Sequence, residues 1–442
     1  MSEEITKDLE KIVPKRWKRY PRYKDSGVEW IGEIPEGWGV EKLKYLALIT
    51  MGQSPNSENC NTSGKGIPFL QGNADFGPIH PTANNFCTSF QKTTKAGEVL
   101  LSVRAPVGEV NIADQEYAIG RGLCSLDPVK LNRDYLVYFL QSCRPFLMSI
   151  STGSTFDAIS VSDVRELMLP STQNEEQERI SRFLNRVIFK TDTLISKKQR
   201  LIELLKEKRA AIITRAVTKG LDPNAPMKDS GIEWIGEMPK HWNIGLIKQG
   251  YQVTLGKMLQ PNKRSENDFE APYLRSANIQ DGFVDTSEIK TMYFNKSEDH
   301  LLLEEGDLLV CEGGDVGRAA IWSNQVSNCR FQNSINRIRS KTNSVRYLFY
   351  LLKASKRSGF IDFLCNRATI SHFTAEKVKG LRIVYPDMTE QLKIANYLDK
   401  ETSRMNSFIS KIEKSIELLK EYRSALITAA VTGKIDVREE VP

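Results

Sequence analysis

Residues 24–38 read KDSGVEWIGEIPEGW, and residues 228–242 read KDSGIEWIGEMPKHW. Eleven of the fifteen positions are identical at an offset of 204, where ordinary residue frequencies give about one match by chance. Four of the six tryptophans fall here: Trp30, Trp38, Trp234 and Trp242. Downstream, ISKKQRLIELLKEKRAAIITRAVT at 195–218 matches ISKIEKSIELLKEYRSALITAAVT at 409–432, now at an offset of 214. The second half has therefore gained a net ten residues between the two markers. Fainter likenesses fill the interval. IPFLQGN (67–73) resembles APYLRSA (271–277), AGEVLLSVRAPVGEVNI (96–112) resembles EGDLLVCEGGDVGRAAI (305–321), and YLVYFL (135–140) matches YLFYLL (347–352). One unit is used twice, a shared frame around two diverged inserts.

Working outward, neither Ser171–Lys219 nor Asp387–Thr432 contains Gly or Pro, and both are rich in helix formers. Ile180, Leu184, Val187, Thr191, Leu194, Lys198, Leu201 and Leu205 alternate by four and three. So do Ile394, Leu398, Glu401, Met405, Phe408, Ile412, Ser415, Leu419 and Tyr422. That rhythm predicts a heptad seam between two long antiparallel helices, a coiled-coil spine. Asn174 and Thr389 are the expected N-caps, and Gly220 and Gly433 the expected C-terminal stops. The inserts carry short apolar runs broken by Gly, Pro, Asn and Ser, which suggests short strands and a few helices, one around Tyr135–Ser142.

The expected fold is α+β, with a pseudo-two-fold internal repeat. Residues 1–38 form an N-terminal arm and frame segment, and 39–170 a first α/β domain. Residues 171–227 hold the first long helix, 228–242 the repeated frame, 243–386 a second α/β domain, and 387–442 the second long helix. For the symmetry to close, residues 24–38 must pack near 430–436, with the two chain ends on the same side. The four frame tryptophans are assigned to packing, because an invariant frame cannot explain two different inserts.

The 442 residues carry a net charge of +7 and 40% apolar side chains, which suits a globular chain and excludes a histone-like tail. No apolar run approaches the ~18 residues of a membrane span, and MSEEITKDLEK lacks a leader's apolar core. The seven cysteines form no C-x-x-C pair, which points to a reducing cytoplasm. The charge is uneven: 171–227 has 12 basic against 7 acidic side chains, 243–386 has 20 against 15, and 39–170 has 11 against 12. Localised excess is the footprint of a polyanion partner. The arm from Lys11 to Lys24 packs seven basic residues with aromatics, either to lie along phosphates or merely to lead into the frame.

Motifs of catalysis are missing. The sequence has no G-x-x-x-x-G-K-[ST] loop, no G-x-G-x-x-G after a strand, no G-x-S-x-G and no N-P-P-[YFW]. Its four histidines lack metal-ligand spacing. No catalytic, cofactor or metal residue is expected, and the chain reads as a binder or scaffold.

With these segments in hand, the chain resembles the specificity subunit of type I restriction-modification systems over nearly its whole length. The likeness rests on YKDSGVEWIGEIPEGW and KDSGIEWIGEMPKHW, on Glu176–Gln177 and Glu390–Gln391 at the helix starts, and on the helix ends ITRAVTKGLDP and ITAAVTGKIDV. The resemblance implies two target recognition domains, each reading one half of a split double-stranded DNA target. It implies two copies of a modification subunit that methylate adenine with S-adenosylmethionine, a cofactor this chain does not hold. It further implies that ATP-driven restriction subunits can join, that the chain itself is no enzyme, and that it works in the cytoplasm away from membranes. Because the inserts differ, the target is expected to be asymmetric.

Arg reads guanine well, and Asn or Gln reads adenine. Candidate DNA contacts are Gln71, Asn73, Arg104 and Arg121 in the first domain and Arg275, Asn278, Arg318, Gln332 and Asn333 in the second. The loops STGSTFDAIS and CNRATISHF add Ser154, Thr155, Arg367 and Thr369 for phosphate. Two readings compete: a coiled-coil scaffold with incidental DNA binding, and a metal-dependent nuclease with an unrecognised site.

Overall fold

The computed structural model describes residues 17–151, 157–365 and 372–439. The chain forms two compact units, one of residues 1–199 with 413–442 and one of residues 200–412. Each long helix therefore gives its first part to one unit and its second part to the other.

In the first unit the frame segment is a hairpin, Tyr23–Asp25 against Glu33–Pro35. Gly39–Lys42 then pairs with Met168–Ser171, closing the base of the domain. Between them lie two sheets. One runs in the order Val110–Ile112, Val99–Ser102, Leu123–Pro128, Ala47–Met51. The other runs Cys60–Asn61, Asn85–Cys87, Ile67–Leu70, Tyr117–Ile119, Thr93–Thr94. Only Tyr117–Ile119 with Ile67–Leu70 is parallel. The helix Arg133–Ile150, capped by Asn132, contains the expected 135–142 stretch and lays Tyr135, Leu136, Phe139 and Leu140 on the core.

The second unit repeats this plan. Met227–Asp229 pairs with Glu237–Pro239, and Asn243–Leu246 with Arg382–Tyr385. One sheet orders Tyr251–Leu255, Ile335–Ser340, Leu308–Cys311, Ala319–Ile321. The other orders Lys290–Phe294, Phe269–Leu274, Arg330–Phe331, again with one parallel pairing, the last two strands. The domains are thus antiparallel in the main and not βαβ-built. Strands of two to six residues joined by short turns leave no room for crossover helices. Matched hydrogen bonds locate the ten-residue insertion. The offset is 204 at Leu70/Leu274, 209 at Val103/Glu312, 212 at Tyr135/Tyr347 and 214 at Pro170/Val384.

The long helices span Asn174–Lys219 and Met388–Val431. The expected caps fall late, Asn174 by one residue and Thr389 by two. Asn174 is already helical, and the second helix is capped by Asp387, whose Oδ1 accepts the Glu390 N–H at 2.8 Å. Gly220 and Gly433 stop the helices at φ +74° and +69°, a left-handed conformation that costs glycine little.

The heptad seam needs correction. The buried face of the first helix runs through Ile180, Leu184, Ile188, Thr191, Ile195, Ile202, Ile213 and Ala216, whereas Leu194 and Leu201 are exposed. In the second it runs through Ile394, Leu398, Met405, Ile409, Ile412, Ile416, Ile427 and Ala430, whereas Phe408 is exposed. Counting the half-buried positions between, each stripe takes ten steps in 36 residues, the 3.6-residue period of a straight helix. A strict 3.5 repeat drifts about 20° per heptad from such a face.

Within the first unit, Arg423 pairs with Asp192 at 3.2 Å, while Glu176 bonds Trp38, which packs beside Gly433. Numbers rise on one segment as they fall on the other, so 174–199 and 413–431 run antiparallel. Within the second unit, Arg209 donates to Asn406, and Glu390 bonds Trp242, which packs beside Gly220. Segments 200–219 and 388–412 are antiparallel in the same way.

The frame tryptophans pack, as expected. Trp38 and Trp242 are buried, and their Nε1–H groups donate to Glu176 and Glu390 at 3.1 and 3.0 Å. Trp30 stacks on Phe146, and Trp234 lies against Phe360. The paired glutamines have a second task. Gln177 Oε1 accepts the Asn132 N–H, and Gln391 Oε1 accepts the Ser344 N–H, both at 2.9 Å, which ties each domain helix to its long helix. Tyr135 OH bonds the carbonyls of Pro170 and Val431, and Tyr347 OH those of Val384 and Val217. The first frame also closes onto the end of the chain. The Tyr23 hydroxyl donates to Lys434 O, Lys434 Nζ donates to Glu33 O, and the Asp436 N–H donates to Lys18 O. Residues 24–38 thus pack against 433–436.

All seven cysteines are free. Among the described residues no helix is long and apolar enough to cross a membrane, and no group of His, Cys, Asp and Glu could hold a metal ion.

Candidate nucleic-acid interface

In the first unit the parallel pair of strands brings two candidates together. Ile67–Leu70 and Tyr117–Ile119 end side by side, with the Gly120 N–H donating to Leu70 O at 2.8 Å. The next residues outward, Gln71 and Arg121, are exposed. Ser54, in the loop after Ala47–Met51, stands between them. Its Oγ accepts from Gln71 Nε2 at 3.2 Å and from the Arg121 N–H at 3.3 Å. Arg104 joins the same edge, because the Val103 N–H donates to Gly122 O at 2.9 Å and leaves Arg104 exposed beside Ala158. Neither Arg104 nor Arg121 has an ion-pair partner among the described residues. Two unneutralised guanidinium groups and an amide thus share one edge of a domain whose net charge is −1. Asn73 sits half-buried in the turn Asn73–Asp75. There Asp75, its carboxyl pushed up by burial, accepts the Gln71 N–H at 3.1 Å. Ser154 and Thr155 lie outside the described residues.

The same backbone bonds define the edge in the second unit. The Gln332 N–H donates to Leu274 O, and the Glu312 N–H donates to Ser334 O, both at 2.9 Å. Arg275 therefore stands where Gln71 does, Asn333 where Arg121 does, and Gly313 where Arg104 does. Arg275 lies 3.4 Å from Glu288, and Gln332 and Asn333 are half-buried. Two candidates are corrected. Asn278 is buried, and its amide is spent on the chain itself. Oδ1 accepts the Arg275 N–H, and Nδ2 donates to the carbonyls of Asp285 and Glu288. Its counterpart is Asp75, not Asn73, and both close the same turn. Arg318 corresponds to Glu109 on the strand hairpin, as the likeness of 96–112 to 305–321 implies. Its guanidinium is committed to Ser276 O at 2.9 Å and lies 3.7 Å from Asp315, so it braces the chain beside Arg275. Arg367 and Thr369 lie outside the described residues.

The charge excess of 243–386 is in part internal. Arg330 pairs with Asp299, Arg337 bonds the carbonyls of His300 and Leu302, and Arg339 pairs with Asp307 and Glu304. Arg330 and Arg337 are buried, so they add to net charge without adding to a surface field. The described part of the N-terminal arm is likewise committed. Lys18 pairs with Glu439 and Arg22 with Glu36, and Trp17 packs edge-on to Phe183.

The sequence reading missed Ser54, whose hydroxyl stands between Gln71 and Arg121, and Glu312. A signal was present: T-x-G recurs at Thr50–Gly52 and Thr254–Gly256 at the frame's own offset of 204. A Cβ on Gly52 would lie 2.2 Å from Gly120 O, and one on Gly256 2.2 Å from Gln332 O. Only glycine lets this loop close onto the strand end that carries the edge.

The family model described as the type I restriction modification DNA specificity domain matches this chain twice, at residues 35–204 and 239–418. A Methanocaldococcus jannaschii chain named for the MjaX specificity subunit of a type I restriction enzyme is 37% identical over 193 residues. That match spans 42% of this chain and 44% of the relative, less than half of either. The MjaIX specificity subunit of the same organism is 23% identical over 97% of this chain and 99% of its own. Among solved structures, a chain from work on complex assembly and conformational transition of the type I R-M system superposes with a TM-score of 0.71. It covers 90% of this chain and 98% of that one at 14% identity. The HsdS subunit of Thermoanaerobacter tengcongensis gives 0.51 over 91% and 98%, also at 14% identity. At such identities the likeness is one of fold.

Proposed function

The chain belongs to the type I restriction modification DNA specificity family, which recognises DNA targets and is not catalytic, and on that premise we propose how its two units divide the work. Each unit reads one half of a split double-stranded target through the loop edge described above. The two edges are built on one backbone but carry different side chains, Gln71, Arg104 and Arg121 in one and Arg275, Gln332 and Asn333 in the other. The half-sites therefore differ and the target is asymmetric. The observation that carries this reading is the pair Arg104 and Arg121, exposed and without carboxylate partners among the described residues, beside the amide of Gln71. Such groups suit guanine and adenine edges and phosphates, and neither guanidinium makes a hydrogen bond or ion pair among the described residues.

In this reading the long helices form a spine that sets the distance between half-sites, in the manner of a ruler. They also carry the docking surface for two copies of a modification subunit, which would supply S-adenosylmethionine and methylate adenine. Restriction subunits join the same assembly, in the cytoplasm. Support comes from apolar side chains left exposed at matching positions 214 residues apart, Leu194 with Phe408 and Leu204 with Leu418. A repeated apolar surface suits two copies of one partner.

The test is selection from a randomised double-stranded DNA library by the full chain with its modification subunit, repeated across salt concentrations. Two conserved, unlike half-sites at fixed spacing are expected, with an affinity that falls steeply with salt. Binding without base preference would refute the proposal.

A further inference from the structure

Glu312 sits on the second unit's edge, yet its side chain makes no hydrogen bond among the described residues. It follows the central strand Leu308–Cys311, and its backbone is fixed on both sides. Its N–H donates to Ser334 O at 2.9 Å, and its carbonyl accepts the Phe373 N–H at 2.8 Å. Its carboxylate is not so held. Among the described residues Oε2 receives no hydrogen bond, in a residue that is only half-buried at the edge. An acceptor oxygen withdrawn from water without a donor is destabilising, more so when it carries charge. Burial pushes the carboxyl up, and the nearby His372 only partly offsets this.

The repeat shows that the frame does not require an acid here. The same backbone bonds in the first unit place Val103 at this position, where it is buried and apolar. The carboxylate is therefore peculiar to the second unit. Arg275 and the chain from Gln332 to Ser334 are its neighbours on the edge. A carboxylate on a surface meant for phosphates is repelled by them unless it gains a donor from the DNA. In the major groove the only such donors are the exocyclic amino groups of cytosine and adenine.

We propose that Glu312 is a specificity-determining residue of the second unit, accepting a hydrogen bond from the exocyclic amino group of one base in the half-site that unit reads. This rests on the DNA-reading function proposed above and names an acceptor within it. Because Val103 cannot accept, the corresponding position of the other half-site is read by other means.

The experiment is library selection with the full chain and its modification subunit, comparing wild type with Glu312→Val and Glu312→Gln. Thermal melts of each protein establish folding. Wild type is expected to prefer cytosine or adenine at one position of one half-site. Glu312→Val should relax that preference by about tenfold or more and leave every other position, and the whole other half-site, unchanged. Glu312→Gln, close in shape and keeping one acceptor oxygen, should retain part of it, and it supplies the reading if the valine variant does not fold. Wild-type preferences that persist in each folded variant would overturn the role of Glu312 and leave the DNA reading intact. A wild type without any base preference would overturn both.

Discussion

Replacing Glu176 with alanine tests how the frame is latched to the helices. Glu176 accepts hydrogen bonds from Trp38 Nε1 at 3.1 Å, from the Tyr20 hydroxyl at 2.8 Å and from the Thr172 hydroxyl. Trp38 and Tyr20 are 3% and 7% exposed, so neither donor can turn to water when the carboxylate is removed. Two stranded donors at about 1–3 kcal/mol each, less than additive, give a loss of roughly 2–5 kcal/mol. The half-exposed Thr172 adds little. Glu390 holds only one buried donor, Trp242 at 3.0 Å, since its other partner, His241, is exposed. Glu390→Ala should therefore cost about 1–3 kcal/mol. Both glutamates lie in the first turn of their helices, so the contribution of the helix dipole cancels in the comparison. Hydrogen exchange read by mass spectrometry localises the effect. Amide protection across residues 20–38 should fall roughly 30-fold or more in Glu176→Ala, and by less across 228–242 in Glu390→Ala, at about tenfold per 1.4 kcal/mol. Glu176→Gln, which keeps one acceptor oxygen, should fall between wild type and alanine. Protection unchanged in both alanine variants would refute the argument that these carboxylates carry the frame.

Three further outcomes follow. Gly52→Ala and Gly256→Ala should each lower thermal stability, by about 2 kcal/mol or more, because the new methyl meets backbone oxygen at 2.2 Å; melting temperatures equal to wild type would show that the loop yields. Burial raises the phenols of Tyr138 and Tyr385 to about 12 from the usual 10. Stability tied to their neutral forms is complete below about pH 10 and lost as pH rises through 12, so tyrosinate absorbance and circular dichroism should change together there. Tyrosinate from these two residues at its ordinary pH, read as the difference from Tyr138→Phe and Tyr385→Phe with the fold intact, would contradict that burial. Four residues inserted in both long helices, after Gln199 and after Ile412, should lengthen the preferred spacer between half-sites by about 6 Å, on the order of two base pairs, with both half-sites unchanged. Altered half-sites at the old spacing would end the ruler reading.

What was legible in the residues was whatever repeats. The duplicated frame, the two uninterrupted helix-forming stretches and their glycine stops are local or self-similar signals. They survive folding because helix propensity and left-handed glycines act within a few residues. The seam was misplaced because a three-four alternation fits a 3.5 and a 3.6 period about equally over a few turns. Ile188, Ile195 and Ile202 win over Val187, Leu194 and Leu201 only once the actual neighbours are in place. Asn278 and Arg318 looked like readers because sequence shows a polar side chain without showing what it bonds. In the fold both are committed to backbone carbonyls.

By itself, then, the sequence determined that this protein is one unit used twice, since duplication is written in residue order. Only the tertiary structure decided which residues share an edge. Gln71, Arg104 and Arg121 are separated by up to 50 positions, and a parallel strand pair and a neighbouring strand end bring them together. The likeness of 96–112 to 305–321 already aligns Val103 with Glu312, but only the strand pairing puts that position on the edge. Long-range backbone hydrogen bonds set that register, and no local pattern encodes them.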